Sequence, residues 1–192
     1  MRSIVVWSWR LCRVVLPPIA AGVIAVTGSL LYLSPRLPSV DVLRDVRFQE
    51  PLRVYTRDGL LMGEFGEMRR TPVRFEQIPQ VLIDAMLAAE DDRFLSHHGV
   101  DFAGLTRAAW ELATTRSIQS GGSTITMQVA RNYFLSRDQT FVRKFNEILL
   151  ALQIERELDK RQILELYLNK IFLGYRAYGV EAAAQVYYGR PI

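Results

Sequence analysis

Thr140-Phe141-Val142-Arg143-Lys144-Phe145-Asn146-Glu147-Ile148-Leu149-Leu150-Ala151-Leu152-Gln153-Ile154-Glu155-Arg156-Glu157-Leu158 is the stretch that decides the fold. Phe141, Phe145, Ile148, Leu149 and Leu152 recur at helical spacing and predict one apolar face on a long helix. The helix runs from about Thr140 to Leu158. A helix of this length needs partners for its apolar face, and the flanking sequence offers them. Downstream, Asp159 caps a further helix with Ile163, Leu164, Tyr167, Leu168 and Ile171 inside it. Gly174 marks a stop, and Gly179 to Tyr188 reads as another helix before Gly189-Arg190-Pro191. Upstream, Ser123 caps a helix through Tyr133 after the Gly121-Gly122 break. Asp101 caps one running to about Thr115. Val81, Leu82, Ala85, Met86 and Ala89 mark another, with Pro79 in its first turn. The domain from residue 78 to 192 is therefore mainly α.

Residues 35–77 read differently. Leu52 to Thr56 alternates, Asp58-Gly59 turns the chain, and Leu60 to Phe65 returns as a second strand. Thr71 to Phe75 is a candidate third strand. This small β-element follows a linker containing Pro35 and Pro38. Before it, Val14 to Leu33 holds 20 residues without a charge, enough to cross about 30 Å of hydrocarbon. Residues 14–34 are assigned as a transmembrane helix and 1–13 as a cytoplasmic tail. Arg2, Arg10 and Arg13 precede the run, which places the N-terminus inside and the rest outside. A cleaved signal peptide is the rival; the length of the run and the lack of a small-x-small site count against it.

The formal charge of +4 might suggest nucleic acid, but its distribution does not. The first 40 residues hold four arginines and no acid; the rest balances 20 basic against 20 acidic residues. The excess belongs to the anchor, and no nucleic-acid-binding motif follows. Cys12 is the single cysteine, so no internal disulfide forms and the compartment is not read from it.

Three clusters carry candidate chemistry. In Glu90-Asp91-Asp92-Arg93-Phe94-Leu95-Ser96-His97-His98-Gly99, a carboxylate ends an apolar helix face beside two others. A partly desolvated carboxylate among like charges gains proton affinity, which suits a general base. The alternative is a helix end running into a solvated acidic turn. His97 and His98 lack a third ligand at metal spacing. In Gly121 to Asn132, a glycine break and hydroxyls at a helix start suit a phosphate, with Thr124, Gln128 and Arg131 along one polar face. A well-capped amphipathic helix explains the same pattern. In Arg143-Lys144-Phe145-Asn146-Glu147, two cations and a carboxylate share one helical turn. A surface Arg143–Glu147 pair is the alternative. Between Arg116 and Glu147 five cations face two acids, a local positive patch that suits an anionic ligand.

Taken in order, the clusters resemble a known family. Glu90-Asp91-x-x-Phe94-x-x-His97-x-Gly99, Gly121-x-Ser123-Thr124-Ile125-Thr126-x-Gln128, Arg143-Lys144-x-x-Glu147 and Lys160-x-x-Ile163-Leu164-Glu165-x-Tyr167-Leu168-Asn169 resemble the motif series of the peptidoglycan glycosyltransferase domain of class A penicillin-binding proteins and their monofunctional relatives. Gly174-Tyr175-Arg176-Ala177-Tyr178-Gly179 is most similar to the Gram-negative bifunctional type. The resemblance implies a lysozyme-like, mainly α domain with a small β-element and one N-terminal transmembrane helix. It implies polymerisation of lipid II into β-1,4 glycan with release of undecaprenyl pyrophosphate. It implies an inner-membrane protein with a periplasmic catalytic domain, partnered by lipid II, the growing glycan strand and cell-wall elongation proteins, and by no nucleic acid.

By motif match, Glu90 deprotonates the acceptor hydroxyl. Glu147 acts at the donor side near the pyrophosphate, through a donor-bound divalent cation such as Mg or Mn. Asp91, His97, Ser123, Thr124, Gln128, Arg131, Arg143 and Lys144 form the substrate-binding set. Glu165, Tyr167 and Asn169 hold helices together. Two positions depart from the family pattern: Met127 stands where a second glutamine is common, and Gln139 where a basic residue is. No Ser-x-x-Lys or Lys-Thr-Gly occurs, so no transpeptidase site is expected in this chain. The family's domain continues beyond the region matched by the last residues, so a C-terminally incomplete, inactive membrane-anchored fragment is the alternative. A muramidase-like hydrolase is a weaker one, because hydrolysis needs no cationic pyrophosphate site.

Overall fold

The computed structural model describes residues 37–46, 52–65, 71–115, 121–135 and 140–192, together with Pro17, Ala21 and Gly28. The chain divides into two compact units, Met1–Pro38 and Ser39–Ile192. The transmembrane assignment for 14–34 thus falls almost wholly outside the described residues, as do Cys12, Arg137 and Gln139. Among the described residues no helix is long and apolar enough to cross a membrane.

The second unit is mainly helical. It holds a hairpin of β1 (Leu52–Tyr55) and β2 (Leu61–Phe65), then α1 (Gln80–Glu90), α2 (Phe102–Thr115), α3 (Ile125–Phe134), α4 (Phe141–Glu157), α5 (Lys160–Lys170) and α6 (Val180–Tyr188). The strands pair antiparallel, with Leu52 opposite Phe65 and an irregularity at Val54/Tyr55. The turn closes where expected, with Gly59 at φ 80° and Leu60 N donating to Thr56 Oγ1 at 2.9 Å.

The third strand does not form. The amide hydrogen bonds of that segment go to side chains of α5 instead. Asn169 Oδ1 accepts from Val73 N at 2.9 Å and Asn169 Nδ2 donates to Val73 O at 2.8 Å. Glu165 Oε2 accepts from Phe75 N at 2.8 Å, and Phe75–Gln77 becomes a 3-10 turn. Side-chain carboxylate and amide groups satisfy this backbone as a sheet neighbour would.

The core lies where α3, α4 and α5 meet. Ile125, Met127, Val129 and Ala130 of α3 are buried. So are Leu150, Ala151 and Ile154 of α4, and Ile163, Leu164, Tyr167 and Leu168 of α5. The stripe on α4 differs from the expected one. Its most buried residues are Glu147, Leu150, Ala151 and Ile154, whereas Phe145, Ile148 and Leu152 are only half-buried. The reason is a second neighbour. A 3-10 helix, Val40–Asp45, packs on α4 with Val40 and Leu43 buried. Arg44 Nη2 meets Glu157 Oε2 there at 2.6 Å. Packing from two sides turns the helix about its axis relative to a one-sided reading.

The caps follow the sequence with one correction. Thr140 accepts from Arg143 N at 3.1 Å. Asp159 and Gln162 form a reciprocal capping box. Asp101 Oδ1 accepts from Gly104 N at 3.0 Å. On α3, however, the cap is Thr124, which accepts from Met127 N at 3.1 Å; Ser123 is left free to bond elsewhere. Met127 is fully buried in a core cluster with Val100 and Ala151. Met127 thus serves packing.

Gly99 is required by its surroundings. Its φ is +84°, and a Cβ placed there would lie 2.7 Å from Ala151 O. Gly99→Ala is expected to destabilise the chain by about 2–4 kcal/mol, combining backbone strain with a clash against main chain. Chemical denaturation monitored by circular dichroism measures it; a loss below about 0.5 kcal/mol, the range of neutral surface changes, would count against this packing.

Candidate active site

The first cluster is anchored through Asp91. Helix α1 ends at Glu90, and Asp91 leaves the helix with φ −162°. Its carboxylate is buried and accepts from Ile125 N, the first amide of α3, at 3.0 Å. Both of its oxygens lie 3.0 Å from His97 Nε2. A carboxylate can only accept, so Nε2 carries the proton in this network. An acid at a helix N-terminus is favoured by the helix dipole. Asp91 and His97 therefore bind one another and α3.

The turn after Asp91 is pinned from its other side. Phe94 is buried and meets His97 edge-on, with ring centroids 6.2 Å apart. Lys160 Nζ lies 4.3 Å from the Phe94 ring centroid and donates to His97 O and Glu155 Oε1, each at 2.7 Å. Thr126 Oγ1 donates to the same Glu155 oxygen at 2.7 Å. Thr124 Oγ1 donates to Gly99 O at 2.6 Å. Thr124 is buried, with its hydroxyl engaged both as cap and as donor. Of the expected substrate contacts, Asp91, His97 and Thr124 thus hold the framework of the site.

Glu90 is presented differently. It is exposed, contrary to the partly desolvated setting its apolar flank suggests. Its Oε2 accepts from Gln128 Nε2 at 2.9 Å. It lines a cleft of about 550 Å³ together with Asp92, Arg107, Ser123, Gln128 and Arg131. The structure therefore brings Glu90, Asp91, Ser123, Thr124, Gln128 and Arg131 to one cavity.

The third cluster reaches the cleft through Ser123. Lys144 Nζ donates to Ser123 Oγ at 2.6 Å and to Glu147 Oε2 at 3.1 Å. Arg143 Nη1 pairs with Glu147 Oε1. Glu147 is 1% exposed, so this is a buried carboxylate between two cations and not a surface pair. Arg143 Nε and Asn146 Oδ1 are buried without a hydrogen-bond partner. Such atoms retain bonding capacity for a ligand. Both oxygens of Glu147 are already taken by cations, which does not suit a metal ligand. Among the described residues no group of three or more His, Cys, Asp or Glu is placed to hold a metal ion. These residues do not fit a protein-held divalent cation at Glu147.

Arg107 and Gly104 line the cleft without having been singled out in the sequence, where Asp92 figured only in the acidic run and Asp101 only as a helix cap. Arg107 lies three residues beyond Gly104 on α2, so the two share a helix face. That spacing was a signal, though it does not reveal what the face looks onto. Asp101 is occupied by Arg93 and the Gly104 amide. Burial raises its proton affinity, but the Gly104 amide and then Arg93 outweigh it and hold the carboxyl below its usual range. The stability this contributes is present at neutral pH and lost as the pH falls through that lowered value.

A family profile described as transglycosylase matches residues 58–192. The chain is 63% identical over 174 residues to penicillin-binding protein 1A of Pseudomonas aeruginosa, covering 91% of this chain and 21% of that protein. It is 51% identical over 174 residues to penicillin-binding protein 1A of Escherichia coli, covering 91% of this chain and 20% of that protein. The crystal structure of penicillin-binding protein 1A from Haemophilus influenzae matches at 36% identity and a TM-score of 0.33, over 76% of this chain and 12% of that one. The chain spans about a fifth of the length of these curated relatives.

Proposed function

This chain belongs to the transglycosylase family, and we propose that it is a peptidoglycan glycosyltransferase that polymerises lipid II into β-1,4-linked glycan. The acceptor's 4-hydroxyl loses its proton to Glu90, and its oxygen attacks the donor's anomeric carbon. The bond from that carbon to the pyrophosphate breaks, with inversion, and undecaprenyl pyrophosphate leaves. Negative charge develops on the leaving oxygen, and fixed cations near it lower the barrier. Arg131, and Lys144 through Ser123, supply positive charge at the cleft; Arg143 and Glu147 hold Lys144 in place. Gln128 orients Glu90 by donating to it. Asp91, His97 and Thr124 keep the ends of α1 and α3 in register.

The observation that carries this reading is a single one. An exposed carboxylate, Glu90, shares a cleft with Ser123, whose hydroxyl is tied to a cation of the buried Arg143–Lys144–Glu147 cluster. A hydrolase needs the carboxylate and no such cluster. The reading includes a single-pass inner-membrane protein whose catalytic domain faces the periplasm. Its partners are then lipid II, the growing strand, the membrane and elongation proteins.

The test is incubation of the detergent-solubilised chain with labelled lipid II, with and without moenomycin. The expected result is glycan polymer that moenomycin suppresses. Absence of polymer under conditions where a full-length relative is active would overturn the reading for this chain.

A further inference from the structure

Between α5 and α6 the chain reverses at Gly174–Ala177, where Ala177 N donates to Gly174 O at 2.7 Å. The two central residues, Tyr175 and Arg176, have φ of 45° and 61°. That is the type I′ pattern, which Asn-Gly and similar pairs adopt without strain. Tyrosine and arginine adopt it at a cost in backbone energy. Neighbouring bonds hold them there: Leu173 N donates to Ala177 O at 3.0 Å and Gly179 N to Ile171 O at 2.8 Å. Leu173 packs with Ala177 against Ala182 and Ala183 of α6.

Packing does not explain these two residues. Tyr175 is 77% exposed. Its ring meets Tyr187 edge-on, with centroids 5.7 Å apart, and the Tyr187 hydroxyl donates to Leu173 O at 2.6 Å. The ring is thus braced at one edge with most of its surface in solvent, and the exposed Arg176 follows directly. Residues 171–192 hold two arginines, Arg176 and Arg190, both exposed, and one acid. That acid, Glu181, is buried and accepts from Gln185 Nε2 at 2.7 Å and from Ile192 N at 3.0 Å. The segment is therefore cationic toward solvent and complements an anion.

A ring and a guanidinium on a rigid turn suit an anionic polysaccharide. The C–H face of a sugar ring lies against the negative face of an aromatic ring, and a guanidinium takes a carboxylate through two parallel hydrogen bonds. A lipid surface would call for aliphatic side chains, but Leu173 and Val186 are packed against the alanines of the turn and α6. A stable protein interface needs about 20–30 residues a side, far more than this turn presents. We propose that the Tyr175–Arg176 turn is a second glycan-binding site: Tyr175 stacks on a sugar ring of peptidoglycan and Arg176 pairs with a carboxylate of its peptide stem. Tyr175, Arg176 and Tyr187 are not among the residues that line the cleft of Glu90. The choice of peptidoglycan rests on the glycosyltransferase reading above.

The experiment is co-sedimentation of the detergent-solubilised chain with insoluble peptidoglycan sacculi. The double substitution Tyr175→Asn with Arg176→Gly installs the residues this turn prefers, so its thermal midpoint should equal or exceed that of wild type. Its affinity for sacculi should nonetheless fall about tenfold. A purely structural turn would keep its affinity along with its stability. Sacculi stripped of their peptide stems by an amidase separate the two contacts. Arg176→Gln should weaken binding to intact sacculi by about threefold, as loss of an exposed ion pair does, and leave binding to stripped glycan unchanged. Tyr175→Ala should weaken both. Full binding by Tyr175→Ala, or no retention of wild type beyond that of a non-binding control protein, overturns the proposal. So does a double variant that keeps its hold on sacculi and loses binding to anionic phospholipid vesicles, which would give the turn to a membrane. Sedimentation needs no catalysis, so failure of the glycosyltransferase reading would appear separately, in the lipid II assay.

Discussion

Glu90→Gln is expected to cut lipid II polymerisation by on the order of 10²–10⁴-fold, the usual contribution of a general base, while lipid II affinity stays within about twofold. The substitution removes the charge and the proton-accepting function and almost nothing else. Its amide oxygen can still accept from Gln128 Nε2, which now bonds Glu90 at 2.9 Å. Glu90 is exposed, so no buried partner is stranded and stability should hold within about 0.5 kcal/mol. The measurement is initial rate on labelled lipid II alongside equilibrium binding of a non-reacting lipid II analogue. Polymerisation near the wild-type rate would remove Glu90 from its role.

Glu147→Gln is expected to do damage of another kind. The carboxylate is 1% exposed and is flanked by Arg143, 17% exposed, and Lys144, 35% exposed. Removing its charge leaves a largely buried guanidinium facing an ammonium with nothing between them. Breaking a buried pair in this way costs about 3–5 kcal/mol. The glutamine oxygen can still accept from one cation, and Lys144 is partly solvated, so about 2–4 kcal/mol is expected here. Lys144 would also drift from Ser123, and polymerisation should fall with it. Thermal and denaturant unfolding report the first effect and the lipid II assay the second. A variant as stable and as active as wild type would show that the cluster is neither a structural nor a catalytic unit.

The two acidic residues illustrate what local sequence can and cannot show. Glu90 follows an apolar helical stretch and Glu147 precedes one, and both sit beside other charges. Periodicity suggested desolvation for Glu90 and left Glu147 open to a surface pairing. The burial is the reverse: Glu90 stands in an open cleft and Glu147 is enclosed. Glu147 is enclosed because it shares a face of α4 with the buried Leu150, Ala151 and Ile154, and α4 packs closely on α3. A one-dimensional pattern does not report which side of a helix its neighbours cover.

Helix starts were legible where one side chain and its own following amides decide them. Asp159 caps where its residue type says it should. Ser123 and Thr124 are adjacent and both capable, so only their partners chose between them. Gly99 O draws the Thr124 hydroxyl and Lys144 draws that of Ser123. The expected strand at Thr71–Phe75 failed for a related reason, since Asn169 and Glu165 satisfy that backbone from α5.

The sequence by itself determined the helical class, the hairpin turn at Gly59, most caps and the motif order, because each depends on bonds within a few residues. The tertiary structure decided which carboxylate is exposed and which buried. It put Arg107 in the cleft and joined Lys144 to the cleft through Ser123. These are distances between residues far apart in the chain, and they exist only once α3, α4 and α5 have packed.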